Sequence, residues 1–318
     1  MNSLNWKGAS LLIVVVLTLA GCVYGVYIYN AKRQADKFMS TNNVASSTDD
    51  TLTVNRIVGV NSKREEKTIS FKTSFYDIQA KYPVEPWDKN GAIEKYVNDL
   101  VNKKKEEWKD GGAAYNDEMK LRKDFPDKQQ MAYQLNISFD KYIGEINDAT
   151  TTAANASIKG EYITYIISNY EFTGGAHGDT DIKTFMFRND GEKTLGDIVN
   201  LNEKNNIAIA KIIINKLPNI LGEGYDQRMA EEGLGLNYLK KDGTFDLQKC
   251  VKATGATDTN QCNQILQANL QNYYISNNGI TFVMGQYQVA PYAAGMPQIP
   301  FTWNELQNYL ITGTTTSN

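Results

Sequence analysis

The chain is read as an α+β protein, a mainly antiparallel sheet with packed helices, preceded by one N-terminal transmembrane or signal segment. Three observations carry this reading. Tyr133, Leu135, Ile137 and Phe139 alternate with Gln134, Asn136 and Ser138, the period of two that leaves one face of a strand apolar. Ile93, Val97, Leu100, Val101 and Trp108 recur at helical spacing, as do Ile207, Ala210, Ile214 and Leu217. Strands and helices arrive in clusters rather than in strict alternation, which favours helices packed on antiparallel sheet over a doubly wound parallel one.

The amino end, residues 1–8, is short and read as cytoplasmic. Residues 9–29 then run from Ala9 to Tyr29 without a charge. As a helix, 21 residues at about 1.5 Å each span about 31 Å, the thickness of a bilayer's hydrocarbon core. Two readings remain open. A retained signal anchor accounts for the whole apolar run, with Tyr24, Tyr27 and Tyr29 at the far interface. Leu19-Ala20-Gly21-Cys22 also fits a bacterial lipobox, which would make Cys22 a lipidated first residue. Lys32, Arg33 and Lys37 favour a cytoplasmic body by the positive-inside count. Long domains translocate regardless of flanking charge, however, and the cysteine pair described below needs an oxidising compartment. The expected location is therefore a bacterial cytoplasmic membrane, single pass, with an extracytoplasmic body.

Residues 30–66, rich in Ser, Thr, Asn and Asp, bury little and are read as a flexible stalk. Val54–Val60 is a candidate short strand within it. The folded part is divided into an N-terminal segment, 67–172, and a C-terminal segment, 173–312, with a tail at 313–318. In the first, a strand is expected over Ile69–Ile78 and a turn at Tyr82-Pro83-Val84. A helix follows from Asn90, closed by Gly111-Gly112. Strands at Tyr133–Phe139 and Tyr162–Phe172 flank a small-residue turn at Thr150–Ser157. In the second, Lys183–Arg188 is a strand and Asn189-Asp190-Gly191 a hairpin turn. A helix opening at Asn200–Asn206 should stop at Pro218. Asp226–Glu232 is read as helical, Tyr274–Val283 and Tyr287–Tyr292 as strands, and Thr302–Leu310 as a closing helix.

Net charge is −3, and removing residues 1–30, which carry one Lys and no acid, takes it to −4. A mildly acidic body lacks the basic stripe that nucleic acid requires, so no nucleic-acid partner is expected. His177 is the only histidine, which argues against a His-rich metal site or a histidine triad with a spare partner. No catalytic residue, metal site or cofactor is expected. Cys250 and Cys262 are read as a disulfide closing a polar loop, since two lone thiolates make a poor metal site and a redox pair prefers Cys-x-x-Cys spacing.

Two segments stand out as candidate ligand contacts. Gly174-Gly175-Ala176-His177-Gly178 lacks the Lys-Ser/Thr of a phosphate loop. It reads as a tight connection between strands, with His177 either a surface contact or a base beside Asp179 or Asp181. Val289-Ala290-Pro291-Tyr292-Ala293-Ala294-Gly295 pins a rigid loop. Tyr292 either packs inward as a structural corner or is presented for recognition, where a stiff aromatic gives contact area at little entropy cost.

Taken together, Thr173-Gly-Gly-Ala-His177, Ile182-Lys-Thr-Phe-Met-Phe187, Glu192-Lys-Thr-Leu-Gly-Asp-Ile198 and Phe282…Tyr287-Gln-Val-Ala-Pro-Tyr-Ala-Ala-Gly295 resemble the extracytoplasmic part of the lysozyme-sensing anti-sigma V factor family. Similar modules occur in other bacterial envelope proteins, including some polysaccharide deacetylases. The resemblance spans about residues 67–312. It implies an α+β fold, an outward-facing location, no catalysis by the module, and lysozyme binding through a loop onto which Pro291 and Tyr292 map. About eight residues precede the apolar run, too few for the family's cytoplasmic domain, so sigma-factor binding is not expected. The expected function is a membrane-tethered, extracytoplasmic ligand-binding module taking a protein such as lysozyme, or peptidoglycan. The alternatives are a structural envelope component without a soluble ligand and a cell-wall polysaccharide-modifying enzyme.

Overall fold

The computed structural model describes residues 65–124, 132–151, 156–174 and 177–311. All belong to the second of two compact units, Ser62–Asn318. The apolar run 9–29 with Cys22, the strand expected at 54–60 and the tail 313–318 lie outside the described residues, as does nearly all of the stalk. Among the described residues, no helix is long and apolar enough to cross a membrane.

The α+β expectation holds. The chain opens on a hairpin of β1 (Glu66–Lys72) and β2 (Tyr76–Pro83), where the sequence pattern had indicated one strand over 69–78. Thr73 is the reason. Its hydroxyl accepts the amides of Phe75 (3.1 Å) and Tyr76 (3.0 Å), while its own amide donates to the Tyr76 carbonyl (2.8 Å). A side chain that satisfies two backbone donors at once reverses the strand.

Helix α1 (Ala92–Trp108) buries Ile93, Val97, Val101 and Trp108. The Asp88 carboxylate accepts the amides of Ala92 (2.8 Å) and Ile93 (3.0 Å), filling orphan donors at its start. The Gly111-Gly112 pair does end α1, but a second helix, α2 (Ala113–Asp124), follows at once. No residue of α2 is buried, so it has no apolar stripe for the sequence to reveal. The two helices form the crossover that lets β3 (Tyr133–Ile146) pair parallel to β2. Strands β4 (Gly160–Phe172), β5 (Asp179–Arg188) and β6 (Gly191–Lys193) then add antiparallel, giving a six-stranded sheet in the order β1-β2-β3-β4-β5-β6. It therefore takes strands from both sides of residue 172.

Strand β4 is buried on both faces. Ile163, Tyr165 and Ile167 join α1, β2 and β3 in one core, and Tyr162 points into the other. Each such side chain contributes roughly 1.5–3 kcal/mol of burial.

The other core is built mainly by the second half, joined by Ile146, Ile158 and Tyr162 from the first. Helix α3 (Glu203–Leu221) starts at Asn202, whose side chain accepts the Asn205 amide (2.9 Å). It continues past Pro218, where a stop was expected. Pro218 lies in the last turn, and Ile213 and Leu217 just before it are wholly buried, so packing offsets one lost hydrogen bond. Helix α4 (Gln227–Leu234) falls close to the segment expected to be helical. The cysteine-enclosed loop is instead two helices, α5 (Leu247–Thr254) and α6 (Thr259–Ala268), each opened by an Asp accepting a backbone amide: Asp246 from Lys249 and Asp258 from Gln261. A disulfide joins Cys250 on α5 to Cys262 on α6, with both cysteines buried.

A three-stranded antiparallel sheet follows: β7 (Tyr273–Ser276), β8 (Gly279–Val283) and β9 (Gln298–Thr302). The single strand expected at 274–283 is thus a hairpin turning at Asn277-Asn278. Residues 287–292, expected as a strand, form turns instead. Helix α7 (Trp303–Leu306) is shorter than the closing helix expected, and Thr302 and Glu305 cap it reciprocally. The small sheet docks on the large one, with Thr184 Oγ1 accepting the Tyr273 amide at 3.2 Å.

Candidate functional site

His177 and Tyr292, drawn from motifs more than a hundred residues apart, are brought into face-to-face contact. His177 stands just before β5, on the connection that follows β4. The next residue, Gly178, fits only as glycine, because a β-carbon there would fall 2.4 Å from the Tyr170 ring and 2.5 Å from the Glu171 carbonyl oxygen. Tyr292 begins a helical turn (Tyr292–Ala294) directly after Pro291, whose φ of −60° sets the direction of entry. The two rings stack with centroids 3.9 Å apart and planes inclined by 23°. Pro291 is exposed at the rim.

Tyr287 completes the group. Its hydroxyl lies 3.3 Å from His177 Nε2, and its ring centroid is 5.7 Å from that of Tyr292. The other imidazole nitrogen, Nδ1, lies 3.0 Å from the Gly178 carbonyl. A carbonyl only accepts, so in the neutral ring Nδ1 donates and Nε2 accepts from Tyr287. The sequence had placed Tyr287 in a strand. Its φ of +61°, rare for a residue with a side chain, instead turns the ring outward, and 44% of the residue is exposed. No local pattern announces such a conformation in a tyrosine.

The loop carrying both tyrosines is held from several sides. Gln288 donates to the Asn269 carbonyl (2.9 Å) and accepts the Gly285 amide (2.8 Å). Val289 and Ala290 are buried beneath it, and Gln286 accepts the Thr180 amide of β5 (2.8 Å). The aromatic ledge is therefore fixed to both sheets before any ligand arrives.

Beside the ledge lies an open cleft of about 470 Å³ bounded by Asn169, Glu171, Asp179, Asp181, His177 and Tyr287. The register of β4 and β5 sets Glu171 opposite Asp179 and Asn169 opposite Asp181. Glu171 pairs with Lys104 of α1 at 2.7 Å. Burial alone would lower the Lys104 pKa, but the hydrogen bonds it donates to Glu171 and Glu107 outweigh it and raise the value, so Lys104 stays charged. Tyr96 donates to Asn169 at 3.3 Å, and its pKa is raised by burial and then by Asp181. Three carboxylates against one lysine leave the cleft negative.

His177 bonds to a carbonyl and a phenol, and among the described residues Asp179 and Asp181 make no hydrogen bond to it. The carboxylate that would orient a catalytic imidazole is thus not in place. Among the described residues, no group of three or more His, Cys, Asp or Glu side chains is placed to hold a metal ion.

Fold and site together define an α+β domain that displays a rigid aromatic ledge over an acidic cleft. Residues 197–304 match the family model described as "Protein of unknown function (DUF3298)". The matched range includes Pro291, Tyr292 and Tyr287 and begins after His177. Among solved structures, a DUF3298 family member from Bacteroides fragilis is similar at 16% identity and a TM-score of 0.43, over 79% of this chain and 94% of that one. A DUF3298 family protein from Pseudomonas aeruginosa is similar at 13% identity and a TM-score of 0.37, over 80% and 97% respectively. No curated protein matches the chain.

Proposed function

We propose that this chain is a non-enzymatic binding module of the bacterial cell envelope, tethered by residues 9–29 with its body outside the cytoplasm. Its ligand is a protein such as lysozyme, or peptidoglycan, and it is taken on the ledge of His177, Tyr287, Pro291 and Tyr292. The observation that carries the reading is the His177–Tyr292 stack at 3.9 Å, in which His177 is exposed and Tyr292 half-buried beside the exposed Pro291. Preformed aromatic surface loses little conformational entropy on binding, which is why Tyr recurs among the residues that dominate interface energetics. The negative cleft beside it suits a cationic protein, adding steering and specificity. The charge-free run at 9–29 supports the tether, and the resemblance to the lysozyme-sensing family supports the ligand class.

The test is calorimetry of the full chain in detergent against lysozyme and against solubilised peptidoglycan. Binding of either is expected. Tyr292→Ala should weaken it by about 2 kcal/mol, roughly 30-fold. If Tyr292→Ala binds as tightly as the parent, the ledge is not the contact surface.

A further inference from the structure

A second cavity, of about 530 Å³, opens at the opposite end of β4 and β5 from the ledge, where β4 begins and β5 ends. Along β4 the two ends lie about 40 Å apart at 3.3 Å per residue. Trp87, Ser157, Lys159, Glu161, Arg188 and Asn189 line it.

Its walls are built rather than incidental. Trp87 sits on the turn between β2 and α1, only half-buried. The buried Glu85 carboxylate fixes that turn, accepting the Trp87 amide at 3.1 Å and the Tyr165 hydroxyl at 2.9 Å. On the far side, Arg188 is held by Asp190 (2.8 Å from Nε) and by the carbonyl of Ser157. Lys159 is paired with Asp148. Both cations are thus neutralised within the protein, which argues against an anionic ligand. By contrast, the Trp87 indole N–H, the Glu161 carboxylate and the Asn189 amide have no hydrogen-bond partner among the described residues.

An apolar aromatic wall, free donors and acceptors together, near-neutral charge and room for a small ligand define one chemistry well. Such a site suits a ligand with an apolar C–H face edged by hydroxyl groups, each of which both donates and accepts. We propose that this cavity is a glycan-binding subsite, taking one or two pyranose units of an uncharged polysaccharide against Trp87, with Glu161 and Asn189 bonding the hydroxyls. It shares no residue with the ledge, so the two sites stand or fall separately.

The experiment titrates the full chain in detergent with a β-1,4-linked N-acetylglucosamine tetramer and, separately, with an α-1,6-linked glucose tetramer, read by tryptophan fluorescence and calorimetry. Saturable binding of at least one sugar is expected. Trp87→Ala should weaken it by about tenfold or more, and Ile220→Ala, an exposed residue of α3 outside both sites, should leave it unchanged. Should Trp87→Ala fail to fold, the double variant Glu161→Ala/Asn189→Ala, which alters only exposed side chains, decides the matter with an expected loss of about fivefold. The proposal is overturned if neither sugar saturates the parent by about 10 mM. It is equally overturned if Trp87→Ala and the double variant both bind as the parent does.

Discussion

Gly233 and Gln288 touch so closely that no side chain fits between them: a β-carbon on Gly233 would lie 1.5 Å from the Gln288 carbonyl oxygen. Helix α4 is thereby pressed against the loop that carries Tyr287 and Tyr292. Gly233→Ala must push that loop away, at an expected cost of about 1–3 kcal/mol. Gly224, whose β-carbon would meet nothing within 4 Å, is the control, and Gly224→Ala should change stability little. Urea denaturation of the two variants, with proteolysis of the 284–297 loop, checks both.

The disulfide joins α5 to α6 across a short loop. Removing it in Cys250→Ser/Cys262→Ser should cost roughly 3 kcal/mol on the chain-entropy estimate for a loop of this length. Because both cysteines are buried, reductant should act slowly on the folded protein and quickly in urea. Equal reduction rates in the two conditions would contradict the burial.

Asp190 supplies a pH dependence. Hydrogen bonds from Arg188 and then Lys193 hold its carboxyl well below the usual carboxylate range. A carboxylate depressed on folding stabilises the protein above the unfolded value, near pH 4, and the contribution is lost as pH falls further toward the folded value. The pair is partly exposed, so screening keeps the effect below about 1 kcal/mol. Asp190→Asn should therefore flatten part of the stability loss between about pH 4 and pH 2, measured by thermal melts.

Tyr142 acts at the other end of the scale. It stacks on Tyr274 with centroids 3.8 Å apart, and burial, Asp140 and Tyr274 raise its pKa to about 12. The unfolded chain ionises first, so this tyrosine's contribution is intact below about pH 10 and is lost as pH rises toward 12. Tyrosinate absorbance should show a phenol titrating near pH 12 that disappears in Tyr142→Phe.

The sequence made the fold class legible where burial imposes a period. The alternation at 133–139 and the stripe from Ile93 to Trp108 both mark elements that face a core. It failed where that signal is weak. Helix α2 has no fully buried residue, and α5 and α6 are short helices with only a few buried positions each; Asp246, Asp258 and Gly255 were the capping signals that mark the latter two. Strand β9 was hidden by Pro300, tolerated because β9 lies at a sheet edge. At the site, His177 and Tyr292 were each visible as residues on glycine- or proline-pinned loops. Their contact was not, because it depends on how β5 and the β8–β9 connection meet in space. Tyr287 was missed outright, since a left-handed tyrosine is a product of tertiary packing.

In the large sheet, spatial order repeats chain order, with every strand beside the one made before it. No strand has to be inserted between two that are already zipped together. The sheet can therefore assemble vectorially from its amino edge, as fast as the polypeptide emerges during synthesis, with each arriving segment finding its template already in place.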